Sequence, residues 1–384
     1  MHATDGGPEA ATGEAPGRVD GARRRVGPYT LITGLDGPRS RTPVPERRYI
    51  ARGANGQETV LLSLPLPGAD AARFMAEAEA SRYLLGSCVA PVTALAAPGE
   101  AAWCARPYLP VLPLPTALAV HGGPLPEPTV RALGVALAET LAVLHGQGLT
   151  YAGVSPAAVL LSADGPRLSC FGAVRAAAPD GTPRSGLPGL DSGSLPPEQT
   201  SGGRPRPLGD VYALGATLAY AATGYTAPER DELPASLRTV ITRCLSRDPG
   251  NRPQLAELTA LLSEGTSPAG LLSTEAPAPG LPSAAAPSPG APGPALPASG
   301  APAPGLPVAP PAFAPGLLPG RVIAALAHQS AAVLMAEIPV GPAPAPGPEP
   351  APPPGPAHSA PPPPPPPPGP GPLSAPAHPS LRRN

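Results

Sequence analysis

The chain offers one kind of strong cation. All 26 residues counted as Lys plus Arg are arginines, and the fixed charge and planar fork of a guanidinium do not stand in for a titratable ammonium. Chemistry that rests on a lysine side chain therefore has no residue to carry it. Arginines gather at Arg23, Arg24 and Arg25 and again at Arg39, Arg41, Arg47 and Arg48. The second group could attract an anion, although an ordinary solvated basic loop is the preferred reading. Hard divalent cations want carboxylate, carbonyl or water oxygens. Asp164, Asp180 and Asp191 are the mid-chain carboxylates that an unusual fold would have to bring to a metal. Cys88, Cys104, Cys170 and Cys244 show no CxxC pairing, so a reduced, cytoplasmic setting is the simplest expectation.

Those residues need elements to hold them. Tyr29–Leu35, Arg48–Arg52 and Thr59–Leu64 are short apolar or alternating runs broken by Gly and Pro, the pattern of an antiparallel sheet. Ala71–Leu84 reads as a helix, and Val92–Ala97 with Ala101–Tyr108 as two further strands. Beyond Pro128 the apolar spacing becomes helical in Val130–His145, Leu208–Thr223, Ala235–Leu245 and Gln254–Leu262. The expected architecture is α+β and two-lobed, a small β-rich N-lobe followed by a helical C-lobe, over residues 27–263.

The flanks differ in kind. Residues 1–26 lack the apolar core of a secretory signal and are expected to be disordered. Much of the chain's proline, 68 residues in all, lies after Thr266. There Ala, Pro, Gly and Ser alternate with too little apolar surface to offset ordering entropy. This predicts a linker over 264–320 and a disordered tail over 339–384, with Pro361–Pro368 as a stiff polyproline II rod. The one apolar island, residues 321–338, is too polar for a membrane span. It reads as an amphipathic helix that could dock on the domain, on a partner or on a membrane surface, with membrane contact the least favoured. A formal net charge of −1 gives no electrostatic reason to expect nucleic acid.

The order of short motifs resembles the catalytic domain of bacterial, actinobacterial-type Ser/Thr protein kinases over residues 29–263. Leu144-His145-Gly146-Gln147-Gly148-Leu149 precedes a stretch, Tyr151 to Leu161, that is similar to a kinase catalytic loop and its following strand. Cys170-Phe171-Gly172 takes the place of DFG. Pro196-Pro197-Glu198 resembles APE, Asp210-Val211-Tyr212-Ala213-Leu214-Gly215 the DVYALG helix, and Asp248 to Pro253 the DPxxRP motif. The resemblance implies that Glu198 pairs with Arg252 and that Asp210 holds the catalytic-loop backbone.

It also implies a degenerate site. Phosphoryl transfer is mostly positioning and charge neutralisation around Mg²⁺ and phosphate oxygens. The strand lysine falls on Ser63, the catalytic Asp on Gly153, its neighbouring Lys on Ser155, and the two metal ligands on Ala158 and Cys170. Cys170 is expected to be a buried small residue rather than a ligand. Glu77 keeps the place of the helix glutamate but, without a lysine, is expected to be solvated. The loop Gly34 to Pro43 lacks GxGxxG spacing, and its prolines lack the N–H donors that cradle phosphate. The expected function is a catalytically inactive pseudokinase for signalling or scaffolding. No cofactor is expected, ATP without metal being the exception, and protein partners would engage the domain or the Pro-rich tail. Two alternatives stay open: a divergent Ser/Thr kinase that still binds ATP or transfers phosphate, and a Pro-rich adaptor anchored by an inert domain.

Overall fold

The structure, a computed structural model, describes residues 24–37, 42–264 and 316–336. The expectations for the first 23 residues, for Arg39 and Arg41, for most of the 264–320 linker and for the tail with its polyproline run lie outside the described residues.

Alternating and β-branched runs become a six-stranded antiparallel sheet. Its strands are β1 (Arg25–Val26), β2 (Tyr29–Gly34), β3 (Glu46–Gly53), β4 (Thr59–Pro65), β5 (Ala94–Leu95) and β6 (Cys104–Pro107), in the order β1-β2-β3-β4-β6-β5. Arg25 and Val26 thus belong to the sheet and not to a disordered leader; Val26 pairs with Tyr29 across the turn at Gly27. The period of two along a strand sends alternate side chains to one face. In β3 that rule buries Glu46, Arg48 and Ile50 together.

Between β4 and β5 lies α1 (Ala71–Ala80), started by Asp70, whose carboxylate accepts from the N–H groups of Ala72 and Arg73 at 3.0 Å. Such a cap stabilises a helix by about 1 kcal/mol. The helix stops at Ala80, short of the expected Leu84, and tightens into a 3₁₀ turn at Ser81–Tyr83.

The helical lobe opens with β7 (Leu112–Pro113) and α2 (Leu114–His121). No helix was expected over α2; its Pro115 sits in the first turn, where a proline removes no intrahelical bond. Then come α3 (Glu127–Gly146), β8 (Val159–Ser162), β9 (Gly165–Leu168), α4 (Ala173–Ala177), α5 (Pro197–Thr200), α6 (Pro207–Thr223), α7 (Ala235–Cys244) and α8 (Leu255–Ser263). Leu133, Leu137, Leu141 and Leu144 form one face of α3 and share a core with Leu214 and Leu218 of α6 and Leu258 and Leu262 of α8. Among the described residues α3 alone is long and apolar enough to cross a bilayer, but its apolar face is occupied by this core.

The segment between α4 and α5 is pinned by Arg184, which is fully buried. Its guanidinium donates to the carbonyls of Val174, Ala178 and Gly203 at 3.1, 3.1 and 2.8 Å and to Asp180 at 2.9 Å.

The last described element is α9 (Gly320–Leu334), shorter than the expected 321–338. It lies on the domain: Val322 and Leu326 enter the core that holds α2, α3 and α6. Arg321 donates to the His121 carbonyl at 3.3 Å.

Candidate functional site: an interlobe cleft filled by its own chain

The two lobes meet at the connector Tyr108–Val111, between β6 and β7. Beside it Leu35, just past β2, with Ile50 and Leu61 of the sheet, packs with Leu160 of β8 and Val111, with no exposure above 7% in the set. Val333 of α9 belongs to the same cluster. Gln329, one turn earlier, reads the connector backbone from both sides. Its Oε1 accepts from the Val111 N–H at 2.9 Å and its Nε2 donates to the Val111 carbonyl at 2.8 Å. Arg52 of β3 donates to the Val333 carbonyl and, at 3.2 Å, to that of Ala336. These bonds add a side-chain donor to carbonyls at and just beyond the helix C-terminus.

Deeper in, a guanidinium crosses from the sheet to the floor. Arg48 is 5% exposed. Its Nε and Nη2 donate to the Asp36 carboxylate, the former at 2.9 Å. Its Nη1 donates to the Ala157 carbonyl at 2.8 Å and to Ser169 Oγ at 3.0 Å, and lies 4.0 Å from Cys170 Sγ. The solvated basic loop is thus corrected for Arg48: its anion is Asp36 of the same hairpin, and its alternation with Glu46 and Ile50 on an inward face was the available signal. Arg47 turns the other way and donates to the Pro65 carbonyl at 3.1 Å.

The remaining sequence-predicted positions are buried, and Cys170 borders a cavity of about 340 Å³. Ser63 is buried, and its hydroxyl faces Arg106 Nη1 at 3.4 Å. Ser155 starts the 3₁₀ turn Pro156–Ala158 by accepting from the Ala158 N–H at 3.3 Å. Ala158, Cys170 and Ala173 form a small apolar cluster. A Cβ at Gly153 would lie 2.0 Å from the Cys170 carbonyl oxygen, so no side chain fits there with this backbone. Cys170 has φ of 64°, and its thiol donates to Glu46 Oε1 at 3.3 Å. Burial, reinforced by the Glu46 charge, pushes that thiol well above its ordinary value. It is a neutral buried group.

Glu77 departs from the expectation of a solvated side chain. Arg175 of α4 grips it at both oxygens, at 2.8 and 2.6 Å, while stacking 4.9 Å over the Phe171 ring. Gly172, at φ 71°, lets this happen, since a Cβ there would strike Glu77 Oε2 at 2.0 Å. Asp180 serves Arg184, and Asp191 accepts from the N–H of Ser194 at 2.8 Å. Both carboxylates are engaged within the segment they belong to.

Two buried ionic braces tie the lower lobe. Arg252 Nη1 and Nη2 donate to the two oxygens of Glu198 at 2.7 and 2.9 Å. Its Nε donates to the Ser246 carbonyl at 2.9 Å. Asp210 accepts from the N–H groups of Tyr151 and Ala152 at 2.7 and 2.8 Å and faces His145 Nε2 at 2.9 Å. Ala152 takes a left-handed φ of 53°, so this carboxylate fixes the strained turn that begins the loop.

Comparison with known proteins follows this geometry. The chain is 34% identical over 260 residues to the probable serine/threonine-protein kinase PkwA of Thermomonospora curvata, covering 62% of this chain and 34% of that protein. The serine/threonine-protein kinase AfsK of Streptomyces coelicolor is 28% identical over 281 residues, 66% of this chain and 34% of AfsK. The chain carries a bacterial Ser/Thr protein-kinase-like domain. The serine/threonine-protein kinase PknK of Mycobacterium tuberculosis is 32% identical over 224 residues, 51% of this chain and 20% of PknK. No family model matches. The chain thus spans about a third or less of the length of these curated relatives. In the kinase-like domain the residues that sequence reasoning overlooked are Glu46, Arg106, Arg175 and Gln329. Each works through contacts distant in sequence that no local motif announces.

All four cysteines are free and buried. Burial pushes the Cys104 thiol up to about 11 and the Cys244 thiol up to about 12. A thiol-specific chromogenic reagent at pH 8 is expected to label none of the four in the native protein, where burial denies it access, and all four in denaturant. The alkaline limb has the same origin. Stability from neutral Cys104 is complete below the unfolded value of about 8.5 and is lost as pH rises through the folded value. Denaturation midpoints followed from pH 8 to 11 would show the fall.

Proposed function

We propose that this kinase-like domain is a pseudokinase, a signalling or scaffolding module that engages protein partners and transfers no phosphate. The reading is carried by the filled cleft. In kinases a Gly-rich loop covers the phosphates, a strand lysine pairs them, and the DFG aspartate and a catalytic-loop asparagine hold Mg²⁺. Here those last three positions are Ser63, Cys170 and Ala158, packed as described, and the Arg48 guanidinium stands among them. A built-in cation tied to Asp36 occupies the floor beside the Cys170 position, and the Glu46 carboxylate next to it accepts from the Cys170 thiol. The base would have to displace the Leu61–Leu160 contact and the α9 residues at the connector. The Glu198–Arg252 and Asp210 braces favour a second reading, a divergent Ser/Thr kinase, because they keep the lower lobe's framework intact. The adaptor reading concerns tail residues outside the described set.

Calorimetry of the full chain with ATP, with and without Mg²⁺, tests this, followed by transfer of radiolabelled γ-phosphate on the same sample. Neither heat nor label is expected; Mg²⁺-dependent binding with transfer would establish the second reading instead. The Gln329→Ala variant removes both hydrogen bonds to Val111 and is expected to cost about 1–3 kcal/mol. Hydrogen exchange should then speed at the Val111 amide and leave the Arg252 brace untouched. Unchanged exchange at Val111 would mean that α9 does not guard the connector.

A further inference from the structure

The helix α9 has two apolar sides, and the domain covers one of them. Val322, Leu326 and Val333 are buried, and Gln329 is held at the connector. On the outward side Ile323 is 41% exposed, Leu334 79% and Met335, the C-cap residue, 80%, with Ala324, Ala327 and Ala331 exposed between them. A surface helix ordinarily turns charged and polar residues to solvent. This one turns no carboxylate outward; Arg321, its one arginine, reaches back to the His121 carbonyl, and His328 stands at the margin of the face.

The spacing points to what covers that face. Ile323 and Leu334 are eleven residues apart, and so are Ala324 and Met335. Eleven residues make very nearly three helical turns. The first pair therefore lies along one edge of the outward face and the second pair along the other, with Ala327 and Ala331 between the edges near the middle. A twofold axis set across the middle of the helix reverses its direction and keeps each edge on its own side. It brings Ile323 of one copy against Leu334 of the other, Ala324 against Met335, and Ala327 against Ala331, each contact made twice, as a twofold interface requires. No like charges meet, and the central alanines let the two helices approach closely. A bilayer fits less well, because a helix lying on a membrane sets Lys and Arg along the side opposite its apolar face, and here that side is buried in the domain.

We propose that α9 forms the twofold contact of a homodimer, in which two copies of this chain pack the outward faces of their α9 helices antiparallel. Fifteen residues give a contact about 22 Å long. One helix face of that length, about 10 Å wide, buries less than the roughly 800 Å² per partner of a standard interface, so the dimer is a reversible, concentration-dependent one.

Sedimentation of the full chain over about a thousandfold range of concentration, enough to carry a one-step dimerisation from mostly monomer to mostly dimer, should show the mass double. Ala327→Glu and Ala331→Arg both alter exposed positions, so α9 should stay seated in each, with hydrogen exchange at the Val111 amide as slow as in the unaltered chain. Each variant alone buries an unpaired charge twice near the axis and should remain a monomer throughout the range. An equimolar mixture of the two sets the new carboxylate against the new guanidinium and should restore the dimer. An unaltered chain that stays monomeric at every concentration overturns the proposal. Association that survives Ala327→Glu would place the contact on another surface and overturn it too, as would a mixture that stays monomeric. Flotation of a monomeric chain with vesicles of phosphatidylcholine and phosphatidylserine would instead assign the face to a bilayer. Neither substitution touches a residue of the interlobe cleft, so the outcome is independent of whether the domain transfers phosphate.

Discussion

Restoring the kinase residues, as Ser63→Lys, Gly153→Asp, Ala158→Asn and Cys170→Asp together, is expected to give no phosphoryl transfer and a domain that does not fold. Gly153→Asp alone places a Cβ 2.0 Å from the Cys170 carbonyl. Ala158→Asn adds an amide to a site with no exposure. Overpacking of this sort costs about 1–3 kcal/mol per site and sometimes more. Cys170→Asp sets a second carboxylate against Glu46, now 3.3 Å from the thiol, and Ser63→Lys sets an ammonium beside Arg106. The combined cost reaches the whole stability of an ordinary domain, about 5–15 kcal/mol. Circular dichroism melts of each single variant and the quadruple, with a γ-phosphate transfer assay, check this. A folded quadruple variant that transfers phosphate would mean that the site is dormant rather than lost.

Arg252→Met is expected to destabilise the chain by about 3–5 kcal/mol, because it removes both bonds to Glu198 and leaves the Ser246 and Leu208 carbonyls without their donor. The side chain is fully buried, makes a two-pronged bond to Glu198, serves the Ser246 and Leu208 carbonyls and lies 5.1 Å over the Tyr212 ring. Glu198→Gln keeps an acceptor for Arg252 and leaves its bonds to the Ser246 and Leu208 carbonyls in place, so it should cost less than Arg252→Met. Urea unfolding of both variants decides the matter. A smaller loss in Arg252→Met than in Glu198→Gln would place the brace's energy in the carboxylate.

The frame of the domain was legible from sequence, and the state of its centre was not. Thr59–Leu64 and Val130–His145 carry their periods openly, and the order of Glu198, Asp210 and Arg252 survives because each makes one indispensable contact. The vacated positions Ser63, Gly153, Ala158 and Cys170 were equally visible. What filled them was not, because a substitution reports what has left and says nothing of what moved in. Arg48 looked like one more arginine in a basic loop until the pleat of β3 turned it inward. Glu77 looked idle because its new partner, Arg175, lies 98 positions away in the chain. The helix at 321–338 was readable as amphipathic, but its apolar side carries no label for the surface it will meet.

The seat of α9 has a consequence for chain integrity. The 56 residues 264–319 separate the end of α8 from the helix that delivers Gln329 and Val333, a span whose closure adds little entropy compared with a shorter one. While the peptide is unbroken, α9 meets its seat at the high local concentration of a tethered ligand. A single proteolytic nick between residues 265 and 315 would delete no contact described above. It would nevertheless turn an intramolecular seat into a bimolecular one, so that dilution alone could empty the connector.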